Sequence, residues 1–328
     1  MADPAPPRPG HPVSLPRPFG VAARDGLELV CETWEPSGER RARVLLVHGF
    51  GEHKGRHRTL ARELAAASCT VHLFDLRGHG ESDGRRGHVD RFADYRNDLL
   101  RVADEVVPAP EPGRPAPPLV LLGHSLGGLI ALDAALHHPE RFAGRRGATG
   151  SHPAGGGARA SEPAFAAVVL CSPFLAPAFR LPPWARVLAR ASLRFFPQAD
   201  FDPRLDPEGL SRDPEVVRAY REDPMVVRRI TAACALEILA AQDEVFARAG
   251  ELHAPTLLLV GSADPVAAPG RARELFEQLG SPSKRLEVYE SFLHELFHEP
   301  GRGRVLADLL GWLDGLTAAG PSPPPAAP

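Results

Sequence analysis

The chain has 328 residues, enough for one large α/β domain or two small ones, and its 43 % hydrophobic content leaves apolar material for a substantial core. Lys+Arg 38 against Asp+Glu 41 gives a net charge of -3, which excludes a general attraction to nucleic acid or to an anionic membrane surface. Residues 1–20 lack the apolar stretch of a signal peptide, no run of 18 apolar residues occurs, and Cys31, Cys69, Cys171 and Cys234 form no metal-ligand spacing, so a cytoplasmic, reduced protein with buried free thiols is expected.

Residues 1–20 carry too many prolines for a helix or a sheet ladder and read as a disordered tail, as do 318–328. Leu27–Trp34 predicts a strand. Arg43–Val47 (RVLLV) predicts a short buried strand that runs straight into His48-Gly49-Phe50-Gly51. Leu60–Ala67 continues as a helix, and Cys69–Phe74 is the next strand, ending at Asp75. A helix follows over Phe92–Val107, then a strand at Leu119–Leu122 and a helix at Leu126–His138. Val168–Cys171 and Thr256–Val260 are strands, Pro269–Leu279 is a helix, Arg285–Tyr289 a strand, and Val305–Leu316 the closing helix. Near-continuous Val/Leu runs separated by helices predict a mostly parallel, doubly wound α/β sheet covered on both faces.

Two stretches break this rhythm. Gly144–Pro163 is low in complexity and has no apolar period, so it reads as a flexible insertion (144–163) within a first core segment, 21–172. Pro173–Gly250 shows no strand run. Its aromatic and aliphatic residues, Trp184 and Phe195 among them, predict a helical cap (173–250) over the sheet's carboxyl edge. A second core segment, 251–317, completes the fold.

Gly123-His124-Ser125-Leu126-Gly127 matches G-x-S-x-G, with a strand before it and a helix after it, the setting in which a sharp turn projects a nucleophilic serine. The turn is strained, so its flanks must be small, and Gly123, Gly127 and Gly128 meet that need. The chemistry then requires a carboxylate and a histidine later in the chain. Asp264 follows strand TLLLVG, and His294 follows strand RLEVY. Asp75 precedes the nucleophile and Asp243 lies in the predicted cap, so both are poorer choices. Leu126, the residue after the serine, and Phe50, in the glycine-rich loop after RVLLV, are the candidate backbone donors for an oxyanion.

His294-Glu295-Leu296-Phe297-His298 also reads H-E-x-x-H, a zinc signature expected by chance in about one such chain in twenty-five, against about one in eight for the elbow pattern. Context decides between them. A zinc protease carries this motif inside a helix, whereas here a strand and short turn precede it and Pro300 follows closely.

The motifs HGFGEHKGRH, FDLRGHGESDGRRGHV, GHSLGG, LSRDPEVVRAYREDPMV, GSADPV and FLHELFHEP together resemble the monoacylglycerol lipase / lysophospholipase branch of the α/β-hydrolase-fold serine hydrolases, over roughly Phe19 to Leu316. The resemblance implies a triad of Ser125, Asp264 and His294, oxyanion donors at Phe50 and Leu126, no metal and no organic cofactor. The expected substrate is a small-molecule lipid ester; the net charge argues against a nucleic-acid partner, and the cap leaves room for transient membrane-surface contact. The 144–163 insertion departs from the family, and His298 stands where Asn is expected. An aminopeptidase or acyltransferase on the same triad is the alternative, with Glu52, Asp243 or Glu244 available to meet a substrate amine. A non-catalytic binding protein would not need all three triad positions.

Overall fold

The computed structural model describes residues 14–106, 116–142, 165–178 and 199–318. Ten strands are found among them: β1 (Arg17–Ala22), β2 (Glu28–Trp34), β3 (Ala42–Val47), β4 (Cys69–Phe74), β5 (Leu119–His124), β6 (Phe165–Cys171), β7 (Asp200–Phe201), β8 (Ile230–Thr231), β9 (Thr256–Gly261) and β10 (Lys284–Tyr289). The described α-helices are α1 (Arg58–Ala66), α2 (Phe92–Val106), α3 (Leu126–His137), α4 (Pro214–Glu222), α5 (Ala232–Arg248), α6 (Pro269–Gln278) and α7 (Gly303–Ala318).

Eight strands form one sheet in the order β1-β2-β4-β3-β5-β6-β9-β10. The β1–β2 and β2–β4 pairs are antiparallel, and the others are parallel. Every residue of β3, β4, β5 and β9 is buried, which is why these strands are dominated by apolar residues on both faces rather than alternating apolar with polar. Alternate side chains serve opposite faces. Leu45 and Val47 of β3 join the core with α2, α3, α5 and α6, whereas Val44 and Leu46 join the core with α1 and α7. All four cysteines are buried and unpaired.

Three expectations change. The tail predicted for 1–20 ends early, because Arg17–Ala22 pairs with β2. It is an edge strand with one side open to solvent, so Pro18 can be accommodated there without losing a central ladder bond. The predicted cap is too long at its end. Helix α5 packs Ile238, Ala241 and Val245 into the same core as Leu129 and Ile130 of α3, so it covers a face of the sheet. The excursion also holds a small antiparallel pair, β7–β8. The insertion 144–163, the cap residues Trp184 and Phe195, and the tail from 319 lie outside the described residues.

What remains of the excursion, 199–231, carries its own small apolar cluster of Leu210, Tyr220 and Val226, joined by Val266. It is tied down over loops at the strands' carboxyl ends. Val227 donates its N–H to Gly51 O at 2.8 Å, and Glu295 donates its N–H to Leu210 O at 2.8 Å.

Candidate active site

Ser125 sits between β5 and α3 with φ 52° and ψ -116°, a backbone conformation costing about 1–3 kcal/mol for a residue with a side chain. Neighbouring bonds hold it there. Ser125 N–H donates to Cys171 O at 3.0 Å, and Ser125 O accepts from Phe174 N–H at 2.9 Å and Gly128 N–H at 3.0 Å. Close approach explains two of the motif's glycines. A Cβ on Gly123 would lie 2.3 Å from Gly127 O, and one on Gly127 would lie 2.1 Å from Val47 O. The first turn of α3 begins at Leu126, so the N–H groups of Leu126 and Gly127 and the positive end of the helix dipole lie beside the serine.

The structure brings Ser125, Asp264 and His294 together from three separate strand ends. His294 Nε2 lies 2.9 Å from Ser125 Oγ, and His294 Nδ1 lies 2.7 Å from Asp264 Oδ2. The other carboxylate oxygen, Asp264 Oδ1, accepts from Val266 N–H at 2.8 Å and Ala267 N–H at 2.9 Å, which fixes the carboxylate plane. All three side chains are buried. Burial alone would depress the His294 pKa. The Asp264 charge and hydrogen bond, helped by Glu295 and Glu52, outweigh it and raise the pKa above 6.5.

Leu126 follows Ser125 directly in the chain, and the loop that carries Phe50 comes close to it. A Cβ on Gly49 would lie 2.9 Å from Ser125 Cβ, so the loop after β3 abuts the nucleophile. Phe50 itself is half-buried, edge-on to His79 with ring centroids 5.2 Å apart.

Sequence reading missed the buried charge network beside the triad. Glu52 Oε1 accepts from Gly49 N–H and from His124 Nδ1 at 2.6 Å, and Glu52 Oε2 lies 3.1 Å from His57 Nε2. Burial opposes ionisation of Glu52, but His57 and His124 outweigh it and hold the carboxyl well below its usual range. Glu52, His57 and His124 are the residue types of a metal site. Their spacing fits poorly: tetrahedral ligands about 2.0–2.1 Å from zinc lie about 3.3 Å apart, whereas Glu52 Oε1 and His124 Nδ1 are 2.6 Å apart, the length of a charge-assisted hydrogen bond.

The H-E-x-x-H stretch is not an α-helix. Leu296–His298 forms one 3-10 turn, and the motif's side chains face different partners. His294 faces Asp264 and Ser125. His298 Nδ1 lies 2.9 Å from Glu295 Oε2, and its Nε2 donates to Arg56 O at 2.9 Å. Glu295 is buried and bound by Arg56 Nη2 at 2.6 and 2.8 Å. A clue lay in the cations and carboxylates concentrated in KGRH and HELFHEP, but sequence gave no sign that the two would meet.

This strand order, with a strained serine at the turn from the fifth strand into a helix, is that of the α/β hydrolases. The chain belongs to the serine aminopeptidase S33 family, whose model matches residues 38–146 and 147–301. It is 30 % identical to a monoacylglycerol lipase of Mycolicibacterium smegmatis over 289 residues, covering 88 % of this chain and 93 % of the relative. It is 33 % identical to the Homo sapiens monoglyceride lipase over 306 residues, covering 92 % of each chain. The crystal structure of a Paleococcus ferrophilus monoacylglycerol lipase superposes with a TM-score of 0.73 at 31 % identity, covering 88 % of this chain and 99 % of that one. The likeness to the monoacylglycerol lipase branch expected from the motifs therefore holds along nearly the whole chain.

Proposed function

We propose that the protein hydrolyses carboxylic esters of lipid-like substrates, of the monoacylglycerol or lysophospholipid type, through an acyl-enzyme on Ser125. The observation that carries this reading is the continuous relay from Ser125 Oγ through His294 to Asp264. His294 Nε2 takes the Ser125 proton as Oγ attacks the ester carbonyl carbon. Negative charge then develops on the carbonyl oxygen, opposite the N–H groups of Phe50 and Leu126. The tetrahedral intermediate collapses, the C–O bond to the alcohol breaks, and His294 gives that alcohol its proton. Water attacks the acyl-enzyme by the same steps and releases the acid.

A fluorophosphonate probe tests the nucleophile. Wild-type protein is expected to label, and Ser125→Ala is expected to fold normally without labelling. Labelling of Ser125→Ala at the wild-type rate would remove the assignment.

The substrate class follows from the names of the relatives, which are monoacylglycerol and monoglyceride lipases. We expect kcat/KM to rise from acetyl to medium-chain glyceryl esters. Each methylene buried in the site contributes about 0.8 kcal/mol, so four added carbons should raise kcat/KM about a hundredfold or more. Equal kcat/KM across the series would refute the acyl-pocket reading.

The aminopeptidase alternative needs a free carboxylate for the substrate's ammonium group. Glu52 is already engaged with Gly49, His124 and His57. Glu244 bonds His137 at the far end of α3 from Ser125, and Asp243 is exposed on the same helix as Glu244. These positions favour the ester reading, and aminoacyl substrates in the same panel test it. No described helix is long and apolar enough to cross a membrane. Four buried thiols fit a reducing compartment, and the cap remains our candidate for transient membrane contact.

A further inference from the structure

His48 is fully buried beside the site, yet the mechanism above gives it no role. Both of its ring nitrogens are committed to backbone groups. Nε2 accepts a hydrogen bond from Leu76 N–H at 3.0 Å, which requires a lone pair on that nitrogen. Nδ1 lies 2.8 Å from Gly49 O, a pure acceptor, so Nδ1 must carry the proton. The two partners therefore define one neutral tautomer. Burial pushes the ring's pKa down to about 4, against the opposing pull of Asp75, and keeps it neutral near pH 7.

The carbonyl that His48 grips belongs to the peptide bond whose nitrogen is Phe50 N. That peptide is trans, so its N–H points opposite to its C=O. Holding Gly49 O toward the imidazole therefore turns Phe50 N–H away from it. The preceding peptide is held as well, because Gly49 N–H donates to Glu52 Oε1. These two grips restrict the backbone freedom that a glycine would otherwise have at this position.

We propose that His48 is a positioning residue for ester hydrolysis: its Nδ1–H fixes the Gly49–Phe50 peptide plane and so aims Phe50 N–H at the developing oxyanion. This deepens the hydrolase reading and rests on it. A donor already aimed needs no reorganisation as charge develops, and losing a whole donor costs about 10²–10³-fold in kcat.

Two substitutions separate the ring's two bonds. Asn places an amide N–H near the Nδ1 position without reaching Leu76, and Gln places an acceptor near the Nε2 position without a donor for Gly49 O. The readout is the ratio of kcat/KM for an ester to that for its thionoester, whose sulfur accepts hydrogen bonds poorly. His48→Gln is expected to lower kcat on the oxygen ester by about tenfold or more with KM little changed, and to lower the ratio in step. His48→Asn is expected to keep the ratio within about threefold of wild type, even where it lowers the melting temperature. An unchanged ratio in His48→Gln, or a collapsed one in His48→Asn, overturns the clamp. A measurement on the unaltered protein stands beside these. Imidazole ¹⁵N NMR should show His48 protonated on Nδ1 and bare on Nε2, and the opposite tautomer also overturns it. Wild-type protein that hydrolyses neither ester would instead remove the hydrolase reading itself, and that failure is distinct from either of these.

Discussion

Asp264→Asn is expected to lower kcat by about 10⁴-fold while leaving the protein folded. The size follows from which atom must go where. Val266 and Ala267 N–H both need an acceptor, so the amide oxygen of Asn stays with them in place of Asp264 Oδ1. The NH₂ group then faces His294 Nδ1 and donates to it. This moves the imidazole proton to Nε2, where it blocks removal of the Ser125 proton. The substitution also removes the charge that raises the His294 pKa. In the wild-type enzyme only neutral His294 can act as base, so kcat/KM should climb with pH through a midpoint above 6.5. A pH–rate profile on a soluble ester, with melting curves as the folding control, checks both statements. A variant retaining a tenth of wild-type kcat would mean that Asp264 does not set the tautomer.

The largest expected loss of stability belongs to Glu295→Gln. The change takes from the Arg56 side chain its nearest carboxylate and leaves only that of Glu52, 3.6 Å from Arg56 Nε; breaking one side of a buried ion pair costs about 3–5 kcal/mol, and the remaining partner puts this change toward the lower figure. In a domain this large the melting temperature should fall by roughly 10 °C. The pH dependence has a definite sign. Burial opposes Glu295 ionisation, but Arg56 and His298 outweigh it and hold the carboxyl at about 2, below its ordinary 4.5. Its contribution is therefore present above pH 4.5 and lost as pH falls toward 2. His298 is shifted the other way: Glu295 raises its pKa despite burial, so its contribution holds below 6.5 and fades as pH rises through the raised value. Melting curves of wild type and variant between pH 2 and 8 should differ most near pH 5–6 and converge at the acid end. Parallel curves, or a fall of under 2 °C, would show that the pair contributes little.

The central strands were legible because both their faces are buried, so four of the six residues in each of β3 and β9 are Val or Leu. The arrangement of Ser125, Asp264 and His294 could be anticipated because each follows a strand that sequence alone identifies, and parallel strands bring their carboxyl ends to one edge. Strand β1 was hidden because proline-rich sequence reads as coil, and only pairing with β2 makes an edge strand of it. The end of the cap was hidden because α5 differs from a cap helix only in what it packs against. The contacts of Arg56 with Glu295, and of Glu52 with His124, join residues far apart in the chain, and no local spacing announces such meetings.

The separation of 169 positions between Ser125 and His294 also bears on the chain while it is being made. At about 5–20 residues per second, the ribosome adds the histidine roughly ten to thirty seconds after the serine. Until β9 and β10 dock, the nascent chain has a nucleophile with neither base nor acid to activate it. Its parallel sheet also stops at β6, whose free side will later pair with β9. Such an edge is open to mispairing with another chain. Synthesis thus passes through an interval in which the protein is catalytically silent and most exposed to aggregation, and the same docking event ends both conditions.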